Sequence, residues 1–225
     1  MIELRDVAMS YGTDAVFENV TLSLPTGSFH FLTGPSGAGK TTLLKVCYLA
    51  IPTTSGRVAV LGTAAEGLER DRIATLRRRI GVVHQDGRFL DHLTLAENVA
   101  LPLVVAGHDP ADAADDLSDL LAWVGLTAQA DQRPPELSGG ERQRAALARA
   151  VIGSPDIVIA DEPTGNVDWE MSLRLLTLLA ELNRMGKTVL MATHDLALIR
   201  HAKTLVDARV LRIADRHVSV AGADL

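Results

Sequence analysis

The sequence predicts an α/β protein. A parallel sheet covered on both faces is preceded by short strands and interrupted by a helical segment. Three observations carry that prediction. Continuous apolar runs at 157–160 and 189–192 alternate with amphipathic stretches, as buried parallel strands alternate with helices. An apolar strand at 29–33 runs into a glycine-rich loop and then a helix. Between about 87 and 150 the strand pattern gives way to helix signals. At 225 residues the chain fits one domain with a modest insertion, and a 47% apolar fraction with 4% aromatics provides an aliphatic core.

In chain order, IELRDVAMSY (2–11) and VTLSL (20–24) alternate apolar with polar residues, and GSFHFLTG (27–34) ends at the glycine loop. KTTLLKVCYLA (40–50) reads as a helix with Leu43, Leu44, Cys47 and Tyr48 on one face. SGRVAVLG (55–62) is a strand, RDRIATLRRRI (70–80) a helix and GVVHQ (81–85) a short strand. In the helical segment, LTLAENVALPLVVAG (93–107) starts near a Thr94 cap. DPADAADDLSDLLAWVGL (109–126) carries a stripe of Ala113, Leu117, Leu120, Leu121 and Val124, and SGGERQRAALARAVIG (138–153) starts at Ser138. The α/β rhythm returns with the strand DIVIADEP (156–163) and the helix WEMSLRLLTLLAELNRMG (169–186). TVLMATHD (188–195) is a strand, LALIRHA (196–202) a helix and TLVDARVLRIA (204–214) strand-like.

Several function classes are disfavoured. A net charge of −6 argues against broad nucleic-acid binding, which needs a basic face. The single cysteine, Cys47, forms no internal disulfide and suits a reducing compartment. Glu3, Arg5 and Asp6 stand where a signal peptide needs an apolar core. The most apolar stretch, 93–107, is broken by Glu97, Asn98 and Pro102, so a membrane role is expected to come through a partner.

Gly34-Pro35-Ser36-Gly37-Ala38-Gly39-Lys40-Thr41 matches G-x-x-x-x-G-K-[ST] between a strand and a helix. Glycines let the backbone wrap so that its N–H groups face phosphate oxygens, and the helix N-terminus adds partial positive charge. Lys40 is the expected partner of the β- and γ-phosphates, and the Thr41 hydroxyl of Mg²⁺. The strand 157–160 delivers Asp161 and Glu162 to its C-terminal end, where α/β sheets bind ligands. Asp161 suits the magnesium shell, and Glu162 suits accepting a proton from attacking water, which favours hydrolysis over phosphoryl transfer to another substrate. Ser138, Gly139 and Gly140 precede a helix. Alone they suit a second anion site and a plain helix cap equally.

These motifs together resemble the ATP-binding cassette (ABC) ATPases. The loop 34–41 precedes LSGGERQ (137–143), IVIADEP (157–163) and ATHD (192–195), in that order, and the likeness covers essentially the whole chain. The resemblance implies a RecA-like P-loop NTPase core formed by 1–86 and 151–225. It adds an N-terminal antiparallel β subdomain and an inserted helical signature subdomain at 87–150. It also implies a head-to-tail homodimer with ATP and Mg²⁺, in which Ser138, Gly139, Gly140 and Glu141 act on ATP held by the other subunit. Residues 34–42, ending at Thr42, are then the phosphate cradle, and Tyr11 stacks on adenine. Gln85 touches Mg²⁺ and the attacking water, Asp168 crosses the dimer interface and His194 contacts the γ-phosphate. Metal ligation falls to Thr41, Gln85 and Asp161, and catalysis to Glu162, His194, Lys40 and Gln85.

A narrower likeness is to the cell-division branch of that family, the FtsE proteins, through LRRRIGVVHQD, ENVALPLVVAG, IADEPTGNVD and VLMATHDLALI. It implies an integral membrane partner resembling FtsX, an indirect link to cell-wall hydrolases, no nucleic-acid partner and a place on the cytoplasmic face of the bacterial inner membrane at the division septum. The ATPase subunit of a transporter for lipoprotein release or small-molecule efflux shares much of the pattern and stays open. The sequence departs from common cassettes at Cys47-Tyr48-Leu49-Ala50, which replaces a glycine, and at His84 before Gln85. Phe89, Leu90 and Leu93 suit either a groove for a partner's coupling helix or ordinary core. Arg70, Arg72, Arg77, Arg78 and Arg79 read as a solvated helix face, Asp109, Asp112, Asp115, Asp116 and Asp119 as the wet side of a helix, and Cys47 as core.

Overall fold

The period-2 pattern of the first strands produces an antiparallel sheet with one buried face. In this computed structural model, which describes residues 1–85, 87–165 and 167–221, β1 (Ile2–Tyr11) pairs with β2 (Asp14–Leu24) and β4 (Ser55–Val60). The two-residue β5 (Thr63–Ala64) completes the order β2-β1-β4-β5. Ile2, Leu4, Val7 and Met9 bury the inner face together with Phe17, Val20 and Leu24.

A second sheet of six strands has the order β10-β9-β3-β8-β7-β6. Its strands are β3 (Phe29–Thr33), β6 (Ile80–Val83), β7 (Ile157–Asp161), β8 (Thr188–Ala192), β9 (Ala208–Ala214) and β10 (His217–Val220). All neighbours run parallel except the β9–β10 hairpin. The continuous apolar run of β7 now has a cause. Ile157 and Ile159 face one core, with the first sheet and α1 (Lys40–Cys47), while Val158 and Ala160 face the other. That second core is closed by α5 (Gly139–Val151), α6 (Trp169–Arg184) and α7 (Leu196–Ala202).

The middle segment is helical as expected, with α3 (Leu95–Ala106) and α4 (Ala114–Trp123) packed on α5 around Leu95, Val99, Leu121 and Leu126. α5 is a shared wall: Ala145 and Ala148 face this insertion, while Ala146 and Leu147 face the main core. Thr94 caps α3 in a reciprocal box with Glu97. Asn98 is fully buried and holds the preceding loop through both ends of its amide, accepting from the Leu90 N–H at 2.8 Å and donating to the Leu90 carbonyl at 3.0 Å.

Some local expectations shift. The first helix ends at Cys47, so Tyr48 is its C-cap and Val46 takes the buried position. Ala113 lies in a 3₁₀ turn before α4. Strand β9 begins only at Ala208, and β5 and β10 are additions. Of the basic run, Arg77 donates to the Leu49 carbonyl at 3.1 Å, Arg78 to that of Val105 at 3.4 Å, and Arg79 pairs with Asp156 at 2.7 Å. That end of the run therefore fastens α2 (Arg70–Arg77) and its exit to neighbouring elements. Cys47 is buried, and its thiol is pushed up to about 12 by burial, as core packing requires.

Candidate active site

Strand β3 aims the chain at the mouth of the parallel sheet, and the loop 34–39 turns it into α1. Two glycines there are required by space. A Cβ on Gly34 would fall on the Ile213 carbonyl, and one on Gly39, at φ +100°, would lie 2.6 Å from Val16 Cγ1. Gly39 caps α1 without a side-chain hydrogen bond, and the first turn of α1 holds no acid. Its orphan N–H groups are thus left for an external anion. Lys40 folds back over the loop and donates to the carbonyls of Gly34 at 2.9 Å and Pro35 at 3.2 Å.

A cavity of about 630 Å³ opens beside this loop, lined by Gly34–Gly37, Gly39–Thr42, Gln85, Glu162, Gly165 and His194. The ends of β3, β6, β7 and β8 converge there. Glu162 follows β7 and bridges Lys40 Nζ at 3.6 Å and His194 Nδ1 at 3.0 Å; its side chain and that of Lys40 are only 12% and 10% exposed. Glu162 adopts φ +45°, a left-handed conformation that costs a non-glycine residue about 1 kcal/mol or more. Its N–H is held by the Ala192 carbonyl of β8 at 3.0 Å, which fixes the turn. His194 follows β8 and is largely exposed, so a ligand entering the cavity reaches it.

Asp161 sits behind this layer. Its Oδ1 is buried and has no hydrogen-bond partner among the described residues. Burial pushes its carboxyl above the usual carboxylate range, opposed by the Thr41 hydroxyl bonded to it. A buried carboxylate oxygen left unpaired beside a threonine hydroxyl is a donor set that suits a hard divalent cation.

The remaining candidates lie elsewhere. Tyr11 is 52% exposed at the end of β1 and does not line the cavity, nor does Ala38, which packs toward the first core. Ser138, Gly139, Gly140 and Glu141 form the start of α5, away from the cavity wall. Ser138 Oγ donates to the Glu141 carboxylate at 2.7 Å and accepts from the Glu141 N–H at 3.3 Å. Asp168 caps α6, its Oδ1 accepting from the Met171 N–H at 2.8 Å. Asn166, within the same TGNVD stretch, lies outside the described residues.

A larger groove, about 1010 Å³, opens between α2, α3 and α5 and is a different place. Phe89, Leu90 and Leu93, which suit either a partner's groove or ordinary core, stand apart from this groove. None of them lines it; Phe89 packs into both cores adjoining α5, and only Leu90 is well exposed. The walls are Arg77, Arg78, Pro102, Leu103, Val105 and Arg149, among others. His84 lines this groove and Gln85, the next residue, lines the phosphate cavity. Arg149, which the sequence did not single out, fixes that junction. It donates to the Gly87 and Arg88 carbonyls at 2.9 and 2.8 Å and lies 4.5 Å above the Phe89 ring. Arginines are frequent enough that no spacing marked this one.

Comparison with known proteins agrees with this geometry. The ABC transporter family model matches residues 17–165. The cell division ATP-binding protein FtsE of Haemophilus influenzae is 45% identical over 89% of this chain and 93% of its own. That of Escherichia coli K12 is 41% identical over 97% of both, and that of Bacillus subtilis 39% over 96% and 93%. Among solved structures, a dimeric ATP-binding cassette in a post-hydrolysis state with ADP and Pi superposes with a TM-score of 0.88 at 32% identity, covering 97% of each chain. Glycine loop, paired carboxylates and fold thus lead to one assignment: the chain belongs to the ABC transporter family, as one of its ATP-hydrolysing cassettes.

Proposed function

We propose that this cassette hydrolyses Mg²⁺-bound ATP as a homodimer, and that it drives an integral membrane partner of the FtsX kind in bacterial cell division. The observation that supports the chemistry best is Glu162, a nearly buried carboxylate suspended between Lys40 and His194 at the phosphate cavity. When ATP enters, the loop N–H groups and Lys40 take the β- and γ-phosphates. Lys40 then exchanges Glu162 for phosphate, and the freed carboxylate orients and deprotonates the attacking water. His194, Lys40 and the N–H groups face the charge that develops on the γ-phosphate. Thr41, Asp161 and Gln85 would hold the magnesium ion, which when bound neutralises phosphate charge. Tyr11 supports adenine, and Ser138–Glu141 of one subunit complete the site of the other, with Asp168 at the contact.

The cell-division role is supported by relatives 39–45% identical over about nine-tenths of the chain or more. Among the described residues no helix is long and apolar enough to cross a membrane, so attachment to the inner membrane, at the septum, is assigned to the partner. The helical signature subdomain, 87–150, and its groove with α2 offer the docking place, and regulation of cell-wall hydrolases would follow through the partner. Tagged Glu162→Gln protein, recovered from native membranes with ATP, tests this reading. An FtsX-like membrane protein coming with it is the expected result. A lipoprotein- or drug-handling permease instead would keep the chemistry and overturn the division role.

A further inference from the structure

The exit of the phosphate helix α1 breaks a local rule. The Ala50 N–H donates to the Lys45 carbonyl at 2.8 Å and the Leu49 N–H to that of Val46 at 3.0 Å, the Schellman closure of a helix end. The residue that closes this motif is left-handed and is usually glycine, yet here it is Leu49, at φ +59°. The chain's departure from the glycine of common cassettes thus falls where a glycine would cost least. Its second departure, His84, meets the first. Tyr48, the C-cap just before Leu49, stands edge to face with the His84 ring, the centroids 6.2 Å apart and the planes at 82°. Aromatic pairs at that separation and angle attract beyond the area they bury.

The pair lies at a junction. Tyr48 ends the helix whose first turn faces the phosphate cavity, and His84 is peptide-linked to Gln85, which lines that cavity. Burial, and then the charge of Asp161, push the Tyr48 phenol above its ordinary value, while Arg88 and Arg77 of the neighbouring groove oppose them. The tyrosine therefore feels both the buried carboxylate and the basic groove wall. Strand β6 ends at Val83, so the sheet does not extend to Gln85, which is exposed. Beyond Gln85, Arg149 holds the Gly87 and Arg88 carbonyls. The ring pair supplies a hold on the other side.

We propose that Tyr48 and His84 are positioning residues for ATP hydrolysis: the tyrosine ring braces the histidine, and that brace holds Gln85 at the cavity. The inference rests on Gln85 meeting the magnesium ion, as proposed above, and adds the side chains that keep it in place.

The test uses the full-length protein. Tyr48→Leu and His84→Ala each remove a ring, whereas Tyr48→Phe and His84→Phe keep an aromatic pair. Steady-state ATPase with Mg²⁺ is read beside amide hydrogen exchange of the ligand-free protein in the peptide that carries Gln85. Each ring-removing variant should lower kcat about tenfold while KM for ATP stays within about twofold, since the phosphate loop is untouched. Exchange at Gln85 should speed up about twofold to tenfold. The double variant Tyr48→Leu/His84→Ala should be no worse than either single one, because both remove the same contact. The phenylalanine variants should rescue both readouts. Packing alone would lower the melting temperature, without splitting kcat from KM and without moving exchange at Gln85. That pattern, or additive losses in the double variant, overturns the brace. Gln85→Ala tests the reading beneath it. A parent kcat in Gln85→Ala overturns the role of Gln85, and the catalytic part of the brace with it. A lowered kcat in Gln85→Ala beside parent rates in Tyr48→Leu and His84→Ala overturns the brace alone.

Discussion

Two glycine-rich turns in this molecule lead into helices, and they are finished in opposite ways. The turn into α1 is bare: Gly39 offers no capping side chain, the first turn carries no acid, and the neighbouring lysine is bound to loop carbonyls. The turn into α5 is closed on itself, with Ser138 and Glu141 exchanging hydrogen bonds in a complete capping box. Orphan N–H groups at a helix start must find partners. In α5 the chain supplies them for Ser138 and Glu141. In α1 they are reserved, and the unpaired Asp161 oxygen beside Thr41 shows the same incompleteness. The first turn is bare until a ligand comes, whereas the second already has a cap of its own within the chain.

The sharpest way to break this contrast is at Lys40. Lys40→Ala removes the only cation lining the phosphate cavity among the described residues and leaves Glu162 with His194 alone. ATP affinity, measured by calorimetry, should fall about 100-fold or more, and thermal stability should fall as well, because removing one partner leaves the nearly buried Glu162 carboxylate without its lysine. Affinity within a fewfold of the parent would sink the claim that this turn is the phosphate cradle. Gly39→Ala tests the same turn through space. The Val16 contact and φ +100° leave no room for a Cβ, so a loss of stability on the order of 1–3 kcal/mol should accompany the loss of binding.

Ser138→Ala probes the other turn and should separate the two properties. Losing a serine N-cap costs about 1 kcal/mol, read as a lowered denaturant midpoint. Nucleotide affinity of the monomer should not move, since Ser138 does not line the cavity. Steady-state ATPase should nevertheless fall, and an unchanged rate would mean that α5 is capped for stability alone.

Both turns were legible in the sequence because phosphate chemistry and capping each demand particular residue types at fixed spacing. Asp161, Glu162 and His194 were legible for a related reason: apolar strands point to what they carry at their ends. Other features depend on partners far away in the chain. Nothing local says that β3 leaves its sequence neighbours β1, β2 and β4 to join β8 and β9, or that β10 closes the sheet edge. Phe89 was ambiguous for the same reason, since whether an apolar side chain is core or contact depends on what arrives beside it. The left-handed backbone of Glu162 was hidden because its N–H is held by the Ala192 carbonyl, on another strand.

The smallest expected effect concerns pH, and it again divides the turns. The side-chain and then the backbone hydrogen bonds to Ser138 hold the Glu141 carboxyl below its ordinary value of 4.5. A carboxyl with a lowered folded value stabilises the folded state above the unfolded value, and that contribution disappears as pH falls through the folded value. Glu141 is near the surface, so the whole effect is about a few tenths of a kcal/mol, as for an acid in a first helical turn. Glu141→Gln should therefore melt slightly below the parent at neutral pH, and the gap should close as pH drops below 4.5. Thr42→Gln, a substitution in the first turn of α1, where no acid sits, should show a melting difference that does not depend on pH over that range. If the Glu141→Gln difference persists undiminished in acid, the carboxylate is not what closes the α5 turn, and the contrast between a waiting turn and a finished one would rest on Ser138 alone.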